Sequence, residues 1–144
     1  ISSDKTFSEK QLLRKNDVFI CSASGSKEHV GKVAFIEEDL PYYFGGFMAV
    51  IRANNSINPK LLFEYLRTPS FRDYLKTNII GANINNLKSS LIFEYLVPLP
   101  PMDMQERIVH GLDEIQRIVS GNIALIKFYE AKVVERIQRV WEQA

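Results

Sequence analysis

Three asparagines stand close together in the stretch IIGANINNLKSS, which occupies residues 79–90. An asparagine amide can form two hydrogen bonds with the N6/N7 edge of adenine, and lysine and serine commonly donate to phosphate oxygens. The alternative is structural, because glycine and asparagine adopt positive φ in turns and asparagine can cap the following segment. We expect Gly81 and Asn83 to shape the turn. The candidates for nucleic-acid contact are Asn85, Asn86, Lys88 and Ser89.

A second polar loop, residues 22–32, joins two predicted strands. Gly25 and Gly31 within it allow the backbone to approach a ligand closely. Hydroxyl, amine and imidazole groups suit phosphate contacts, and imidazole also suits a base edge. An ordinary polar hairpin loop is the alternative interpretation. The candidate donors are Ser24, Ser26, Lys27, His29 and Lys32.

Two adjacent tyrosines, Tyr42 and Tyr43, follow Pro41. Their rings could stack on bases, since every base has a π-face. They could also pack against the core or its rim, and we expect at least one of Tyr42, Tyr43 and Phe44 to do so. Tyr42 and Tyr43 are the candidates for nucleic-acid contact.

No set of residues in the sequence predicts catalysis. Glu37, Glu38 and Asp39 could hold a metal ion, but three acids at a strand end are more often solvated. Glu130 and Lys132 lie within a predicted helix, where they are interpreted as a solvated face. There is no nucleophile-elbow serine and no glycine-rich phosphate loop, and neither histidine has a partner at metal-ligand spacing. We therefore expect no enzymatic activity, no metal and no cofactor.

The composition is that of a globular protein. Of 144 residues, 46% are hydrophobic and 24% are charged, and the net charge is +1. If the protein binds nucleic acid, it would therefore do so through a local basic surface, because the net charge of the whole chain is too small to attract a polyanion. Cys21 is the single cysteine, which excludes a disulfide framework and suits the cytoplasm. The apolar runs are too short to span a membrane. Because the chain starts with isoleucine, we expect it to be part of a longer protein.

Short apolar runs predict three strands, VFICSA, KVAFIEE and FMAVIRA, separated by turn signals. Asn58 before Pro59 predicts the start of a helix, and Ser70 predicts the start of a second one. A helical turn and the extended segment VPLPP complete this part. The predicted fold class is α+β, a small, mostly antiparallel sheet or half-barrel with short packing helices, over residues 1–101.

Residues 102–144 predict a long helix, because they contain no proline and only two glycines, Gly111 and Gly121. Asp103 and Glu106 resemble a capping box at its start, and residues 120–122 are where the helix would bend or break. An unbroken helix of this length reaches about 60 Å, so we expect its apolar stripe to need a partner helix. The stripe comprises Ile108, Leu112, Ile115, Val119, Ile126, Val133, Ile137 and Val140.

The order of these features resembles the target-recognition domain of type I restriction-modification specificity (S) subunits, and the related domains fused to adenine-N6 DNA methyltransferases. The similarity begins at LLRKNDVFICSASGS and continues through VGKVAFIEED, FGGFMAVIRA and NPKLLFEYLRTPSFRDYL. Its most specific part is the pairing of GANINNL with VPLPP, followed by Gln105. It covers residues 12–109, and the helix that follows is similar to the spacer helix of that family. The N-terminal part of the recognition domain is expected to be incomplete.

The resemblance implies that the chain binds one half of a bipartite target in double-stranded DNA and performs no chemistry itself. Under this hypothesis Lys27, Lys32 and Lys88 contact phosphates. Asn85, Asn86 and His29 contact base edges. The resemblance also implies antiparallel pairing of the spacer helix with a second recognition half or a second copy. It further implies docking of methyltransferase and restriction subunits. The alternative is a non-catalytic assembly module that dimerises, or docks methyltransferase subunits, through its long helix.

Overall fold

The structure, a computed structural model, describes residues 8–79 and 86–142. It consists of two compact units, and the boundary between them falls after Gln105. The first unit contains a 3₁₀ turn (Glu9–Gln11), a sheet and three short helices, and the second contains most of one long helix. No helix within the described residues is long and apolar enough to cross a membrane.

A three-stranded antiparallel sheet lies at the centre of the first unit. Its strands are β1 (Val18–Cys21), β2 (Val33–Phe35) and β3 (Met48–Ile51), in the order β2-β1-β3. Val18 and Ile20 on the central strand are fully buried. The predicted antiparallel sheet is confirmed, and it is an open sheet rather than a half-barrel. The strands are shorter than the apolar runs, because the chain leaves the ladder after three or four residues.

The first short helix, α1 (Pro59–Arg67), begins where the sequence predicted. The side chain of Asn58 accepts hydrogen bonds from the backbone N–H groups of Lys60 and Leu61, at 2.9 and 3.4 Å. These bonds satisfy two of the donors that a helix start leaves unpaired. Leu61 and Leu66 are buried, and α1 packs against β1, β2 and the following helix.

The second short helix, α2 (Pro69–Ile79), begins earlier than predicted. The hydroxyl of Thr68, not that of Ser70, accepts a hydrogen bond from the backbone N–H of Phe71 at 3.3 Å. Thr68 therefore ends α1 and caps α2. The third helix, α3, is a short one at Ser89–Glu94, which agrees with the predicted helical turn.

The hydrophobic core joins the sheet to the helices. Phe71 is fully buried, and its ring centroid lies 4.9 Å from that of Tyr95, just after α3. Tyr95 also contacts the ring of Tyr74, at 5.0 Å. Such aromatic pairs contribute roughly 0.5–1.5 kcal/mol beyond their buried area. The buried core residues are Val18, Ile20, Val30, Leu66, Phe71, Leu75 and Leu87.

An ion pair between a buried aspartate and an exposed arginine fixes the start of β1. Asp17 is 2% exposed, and its carboxylate accepts hydrogen bonds from Nε and Nη2 of Arg52, at 2.8 and 3.1 Å. It also accepts one from the backbone N–H of Arg14 at 2.9 Å. The bonds to Asp17 raise the pKa of Arg52 above its ordinary value. This pair joins the turn before β1 to the residue after β3.

The long helix, α4 (Met102–Glu142), is continuous. It runs through Gly121, so the helix is not broken at residues 120–122. An interior glycine costs only about 1 kcal/mol relative to alanine, which a helix of this length tolerates. The predicted capping box was wrong, because Asp103 lies inside the first turn rather than before it. From there its negative charge interacts favourably with the helix dipole.

Candidate nucleic-acid interface

Three chain segments meet immediately after β1. Ser22 and Ala23 donate their backbone N–H groups to the carbonyl oxygen of Phe47, at 2.9 and 3.0 Å. On the other side, Leu87 donates its backbone N–H to the carbonyl oxygen of Ser22 at 2.6 Å, and Ala23 forms an antiparallel bridge with Asn86. We call these five residues the junction. It brings the loop of residues 22–32 next to residues 86–89, two candidate segments that are distant in the sequence.

The two candidate serines of the first loop shape its backbone. The hydroxyl oxygen of Ser24 accepts a hydrogen bond from the backbone N–H of Ser26 at 3.2 Å. The hydroxyl oxygen of Ser26 accepts a hydrogen bond from the backbone N–H of Glu28 at 3.3 Å. Since a hydroxyl both donates and accepts, each serine that accepts a backbone bond retains a proton to donate. Lys27, between them and His29, is exposed.

His29 and Lys32 form a contact that defines the chemistry of the imidazole. The ammonium Nζ of Lys32 lies 3.0 Å from Nδ1 of His29. An ammonium group can only donate, so Nδ1 is the acceptor and the ring proton is on Nε2. His29 is exposed, and it therefore presents a hydrogen-bond donor to the surroundings. Acceptors such as phosphate oxygens or guanine N7 and O6 suit that donor.

The base of the loop requires a glycine. Gly31 has a φ of +79°, and a Cβ at this position would lie 2.2 Å from Cδ1 of Leu75. Its backbone N–H donates to the carbonyl oxygen of Cys21 at 2.8 Å. The backbone N–H of Cys21 in turn donates to the carbonyl oxygen of Lys32 at 2.9 Å. The loop is thereby held against both the end of β1 and α2.

Arg72 is a residue whose role was missed from the sequence. Its guanidinium donates to the carbonyl oxygens of Val30 and Glu28, at 2.6 and 2.9 Å. It thus connects α2 to the middle of the loop. The one sequence signal is that no acidic residue lies three or four positions away on the helix, which leaves the arginine without a helical ion-pair partner.

The segment after the asparagine cluster is fixed by the junction and by one apolar anchor. Leu87 is 7% exposed and belongs to the core, whereas Asn86, Lys88 and Ser89 are exposed. Lys88 occupies the position before α3, with no side-chain capping bond. The alternative interpretation, in which an asparagine caps the segment that follows, therefore does not account for Asn86. Asn85, with Gly81 and Asn83, lies outside the described residues.

The tyrosine pair lies against a different segment. The carbonyl oxygen of Tyr42 accepts a hydrogen bond from the backbone N–H of Leu13 at 3.1 Å, and Tyr43 forms a bridge with Leu12. Their side chains are 63% and 46% exposed. The aromatic residue at the junction is instead Phe47, which the sequence predicted to be the first residue of the third strand.

Lysines outnumber acidic residues in the two segments that meet at the junction. Lys27, Lys32 and Lys88 are exposed, and Glu28 is the one acidic residue among residues 22–32 and 86–89. This excess of positive charge is local, since the net charge of the whole chain is +1. Within the described part of the chain, no group of three histidine, cysteine or acidic side chains could hold a metal ion. The carboxylate of Asp39 instead accepts a hydrogen bond from the backbone N–H of Lys15 at 2.8 Å.

Gln105 is a buried polar residue at the end of the first unit. It is 1% exposed. Its Oε1 accepts a hydrogen bond from the backbone N–H of Asn58 at 2.8 Å, and its Nε2 donates to the carbonyl oxygens of Ser56 and Pro100, at 3.0 and 2.8 Å. The amide therefore fixes the start of α1 to the proline-rich segment. An amide suits this position because it supplies one acceptor and two donors.

The apolar stripe of α4 is exposed over most of its length. Ile108 is 37% exposed and Val140 is 67% exposed, whereas Leu112 is half-buried. Between 43% and 60% of the surface is exposed at Ile115, Val119, Ile126, Val133 and Ile137. Other exposed large apolar residues of the helix are Met102, Met104, Ile118, Ile123, Leu125, Phe128, Tyr129, Val134 and Trp141.

The chain is similar to known proteins over most of its length. Residues 2–127 match the family model described as type I restriction modification DNA specificity domain. The type I restriction enzyme StySPI specificity subunit of Salmonella potsdam is 30% identical over 119 residues, which are 83% of this chain and 26% of that protein. The EcoKI specificity subunit of Escherichia coli (strain K12) is 32% identical over 109 residues, 74% of this chain and 23% of that protein. The chain spans about a quarter of the length of these relatives.

Two solved structures share the fold. A chain from a type I R-M system, studied for its complex assembly and conformational transition, has a TM-score of 0.59 and 25% identity, over 79% of this chain and 26% of that chain. The HsdS subunit from Thermoanaerobacter tengcongensis has a TM-score of 0.61 and 21% identity, over 81% of this chain and 30% of that chain. The second similarity concerns the fold alone.

Proposed function

Because the chain belongs to the family of type I restriction-modification DNA specificity domains, we propose that its first unit binds double-stranded DNA in a sequence-specific manner. The observation that carries this proposal is the junction. It holds two polar, lysine-bearing segments side by side through backbone hydrogen bonds. A rigid backbone that presents exposed amide, imidazole and ammonium groups is suited to a duplex, because phosphate contacts position the protein and base contacts give specificity.

The proposed contacts divide by chemistry. Lys27, Lys32 and Lys88 neutralise phosphates, which gives affinity that depends on salt. Asn86 and His29 contact base edges, and a good bidentate contact discriminates against a wrong base by about 1–3 kcal/mol. The hydroxyl groups supply further phosphate donors. Asn85 and the two tyrosines remain predicted contacts, as do the hydroxyls of Ser24, Ser26 and Ser89.

Charge reversal tests the phosphate contacts. The wild-type chain is titrated with a pool of random duplexes at low and moderate salt, together with the variants Lys27→Glu and Lys88→Glu. The slope of log K against log salt is negative, and each lost phosphate contact makes it shallower by about 0.9. Lys15→Glu is the matched control, because Lys15 precedes β1 whereas the junction follows it. Equal losses in all three variants, or no salt dependence in the wild type, would contradict the proposal.

Base recognition by Asn86 has a separate test. A target is selected from the pool, and Asn86→Ala is then measured on matched and singly mismatched duplexes. We expect the variant to lose discrimination at one position, by a factor of about ten or more, and to keep its affinity for unselected DNA. Equal weakening on every duplex would show that Asn86 does not contact a base.

For the second unit we propose a partner helix. The support is the row of exposed aliphatic side chains along α4, which a lone helix leaves in water. Pairing with an antiparallel helix, from a second recognition half or a second copy, would place two DNA-binding units on a bipartite target. Duplexes that carry two inverted copies of the selected half-site at varied separations test this. Cooperative binding is expected at one separation, and equal binding at every separation would contradict it.

The role in a larger assembly follows from the same exposed surface. We propose that methyltransferase and restriction subunits dock on this protein and perform the chemistry, while this chain performs none. The alternative, an assembly module without DNA affinity, is also favoured by the exposed stripe of α4. It predicts a stable complex with a methyltransferase subunit but no salt-dependent binding to duplexes. Co-sedimentation with that subunit, with and without DNA, separates the two, and methyl transfer by the isolated chain would contradict both.

A further inference from the structure

Phe47 is an apolar side chain on the proposed DNA surface. It is 73% exposed, yet its carbonyl oxygen accepts two backbone hydrogen bonds, from Ser22 and Ala23 at 2.9 and 3.0 Å. A single exposed aromatic residue is common and needs no explanation by itself. What distinguishes Phe47 is that its backbone is held at the junction, where the neighbouring candidate side chains are polar.

The junction also determines how far Phe47 lies from Asn86. Phe47 bonds to one side of residues 22 and 23, and the segment that contains Asn86 pairs with the other side. Neighbouring strands lie about 4.8 Å apart, so the two backbones are separated by about 10 Å. That distance corresponds to about three base pairs along the duplex axis. The major groove of B-DNA is about 12 Å wide, so two side chains at this separation fit within one groove.

The chemistry of a phenyl ring limits what it can recognise in that groove. Base edges in the major groove present donors, acceptors and one apolar group, the C5-methyl of thymine. A phenyl ring forms no conventional hydrogen bonds but gains free energy by covering a methyl group. Resting on the proposed DNA-binding function, we infer that Phe47 contacts the C5-methyl group of a thymine, about three base pairs from the base that Asn86 contacts. Phe47 thereby selects thymine over cytosine at that position.

The test removes only the methyl group. In the duplex selected by the full wild-type chain, each thymine is replaced in turn by deoxyuridine, which keeps the base pair and deletes the C5-methyl. We expect the wild type to bind roughly fourfold more weakly at one position, the effect of exposing one methyl-sized group. Phe47→Ala shows no such loss, and Phe47→Leu shows part of it. Phe93→Ala is the matched control, because Phe93 is 83% exposed on α3 and should leave the pattern unchanged.

Other outcomes overturn the inference in distinguishable ways. If wild type and Phe47→Ala share one deoxyuridine pattern while both bind the selected duplex, the DNA-binding proposal stands and the thymine contact is wrong. If Phe47→Ala weakens binding to every duplex and reduces DNA bending, the ring is a wedge between base steps and the inference is also overturned. If the wild type binds no duplex in a salt-dependent manner, the proposed function fails and the inference fails with it. Urea unfolding of each variant shows that the fold is retained.

Discussion

The two units of this protein use apolar and polar residues in opposite ways. In the first unit the apolar residues are buried around β1, and the exposed groups near the junction are mostly polar and held by backbone hydrogen bonds. In the second unit a single regular helix exposes its large aliphatic residues along most of its length. Burial of apolar area is the main favourable term in folding and association. The first unit therefore has a buried core of its own, whereas the exposed aliphatic residues of the second support the proposed partner helix.

This difference gives the two units different weak points. A substitution on α4 should affect association and leave the fold of the first unit intact. In the first unit, a substitution of a residue that satisfies buried backbone groups should affect folding. Each of the following changes tests one side of that contrast.

The largest effect is expected on association, from Ile126→Glu. Ile126 is 57% exposed on α4. In a dimer that pairs two α4 helices, the Ile126 side chain of each chain is buried. Losing two buried isoleucines costs about 3–6 kcal/mol, or roughly two to four decades in the dimer Kd. Sedimentation equilibrium of the full chain should show a shift from dimer to monomer.

Gln138→Glu is the control for that change, since it adds the same charge to a polar, exposed position on the same helix. It should leave the association constant within a factor of a few. A wild-type chain that stays monomeric at all concentrations would exclude the second copy as partner. The partner helix would then have to come from a second recognition half.

The next effect is on folding of the first unit, from Gln105→Leu. The amide of Gln105 satisfies three backbone groups, and leucine of similar size satisfies none of them. Unpaired buried groups cost about 1–3 kcal/mol each. Because Ser56 is exposed and water can reach its carbonyl, we expect a total loss of about 2–4 kcal/mol in urea unfolding. Gln116→Ala, on the exposed part of α4, should change the free energy by less than about 0.5 kcal/mol.

Gly31→Ala should destabilise the base of the loop. Alanine at a positive φ costs roughly 1–2 kcal/mol, and its Cβ would overlap Leu75. We expect a loss of about 2–3 kcal/mol in the free energy of unfolding. Leu75→Ala removes the overlap but also a buried core side chain, so the double variant should lose less stability than the sum of the two single variants. At Gly25 an added Cβ meets no atom within 4 Å, so Gly25→Ala should be nearly neutral. Equal effects at both glycines would show that the loop is not held as the structure indicates.

The sequence predicted local features of this protein better than contacts between distant segments. The three strands, the cap at Asn58 and the long helix follow from short patterns, and the structure confirms them. The cap of α2 was misplaced by two residues, because a threonine that ends one helix also starts the next. Several hydroxyl side chains within one turn can each cap a helix, and the sequence alone does not show which of them does so.

The candidate site shows the same limit. The polar residues of both loops could be listed from their types, but their meeting at the junction depends on backbone hydrogen bonds between distant residues. No periodic pattern encodes such a bond. Arg72 was missed because its partners are carbonyl oxygens, which every residue has. Phe47 was missed because an apolar residue at the start of an apolar run predicts burial.

The smallest effect concerns pH and lies entirely within α4. The carboxylate of Glu135 accepts a hydrogen bond from Nζ of Lys132 at 2.8 Å and another from Arg139. The bond to Lys132, its charge and the bond to Arg139 lower the pKa of Glu135 below its ordinary value of 4.5. A carboxyl whose pKa is lower in the folded state contributes stability above its unfolded value, and that contribution is lost as the pH falls through the folded value.

Thermal unfolding followed by far-UV circular dichroism should therefore show a small acid-induced loss of stability in the wild type. In Glu135→Gln the neutral-pH stability falls slightly and the acid-induced loss is smaller, so the two curves converge at low pH. Glu130→Gln changes the net charge of the same helix by the same amount and should keep the wild-type pH dependence. The effect is small because the pairs are exposed and solvent screens them. Identical pH profiles for the two variants would show that net charge alone, not the contacts of Glu135, sets the acid response of α4.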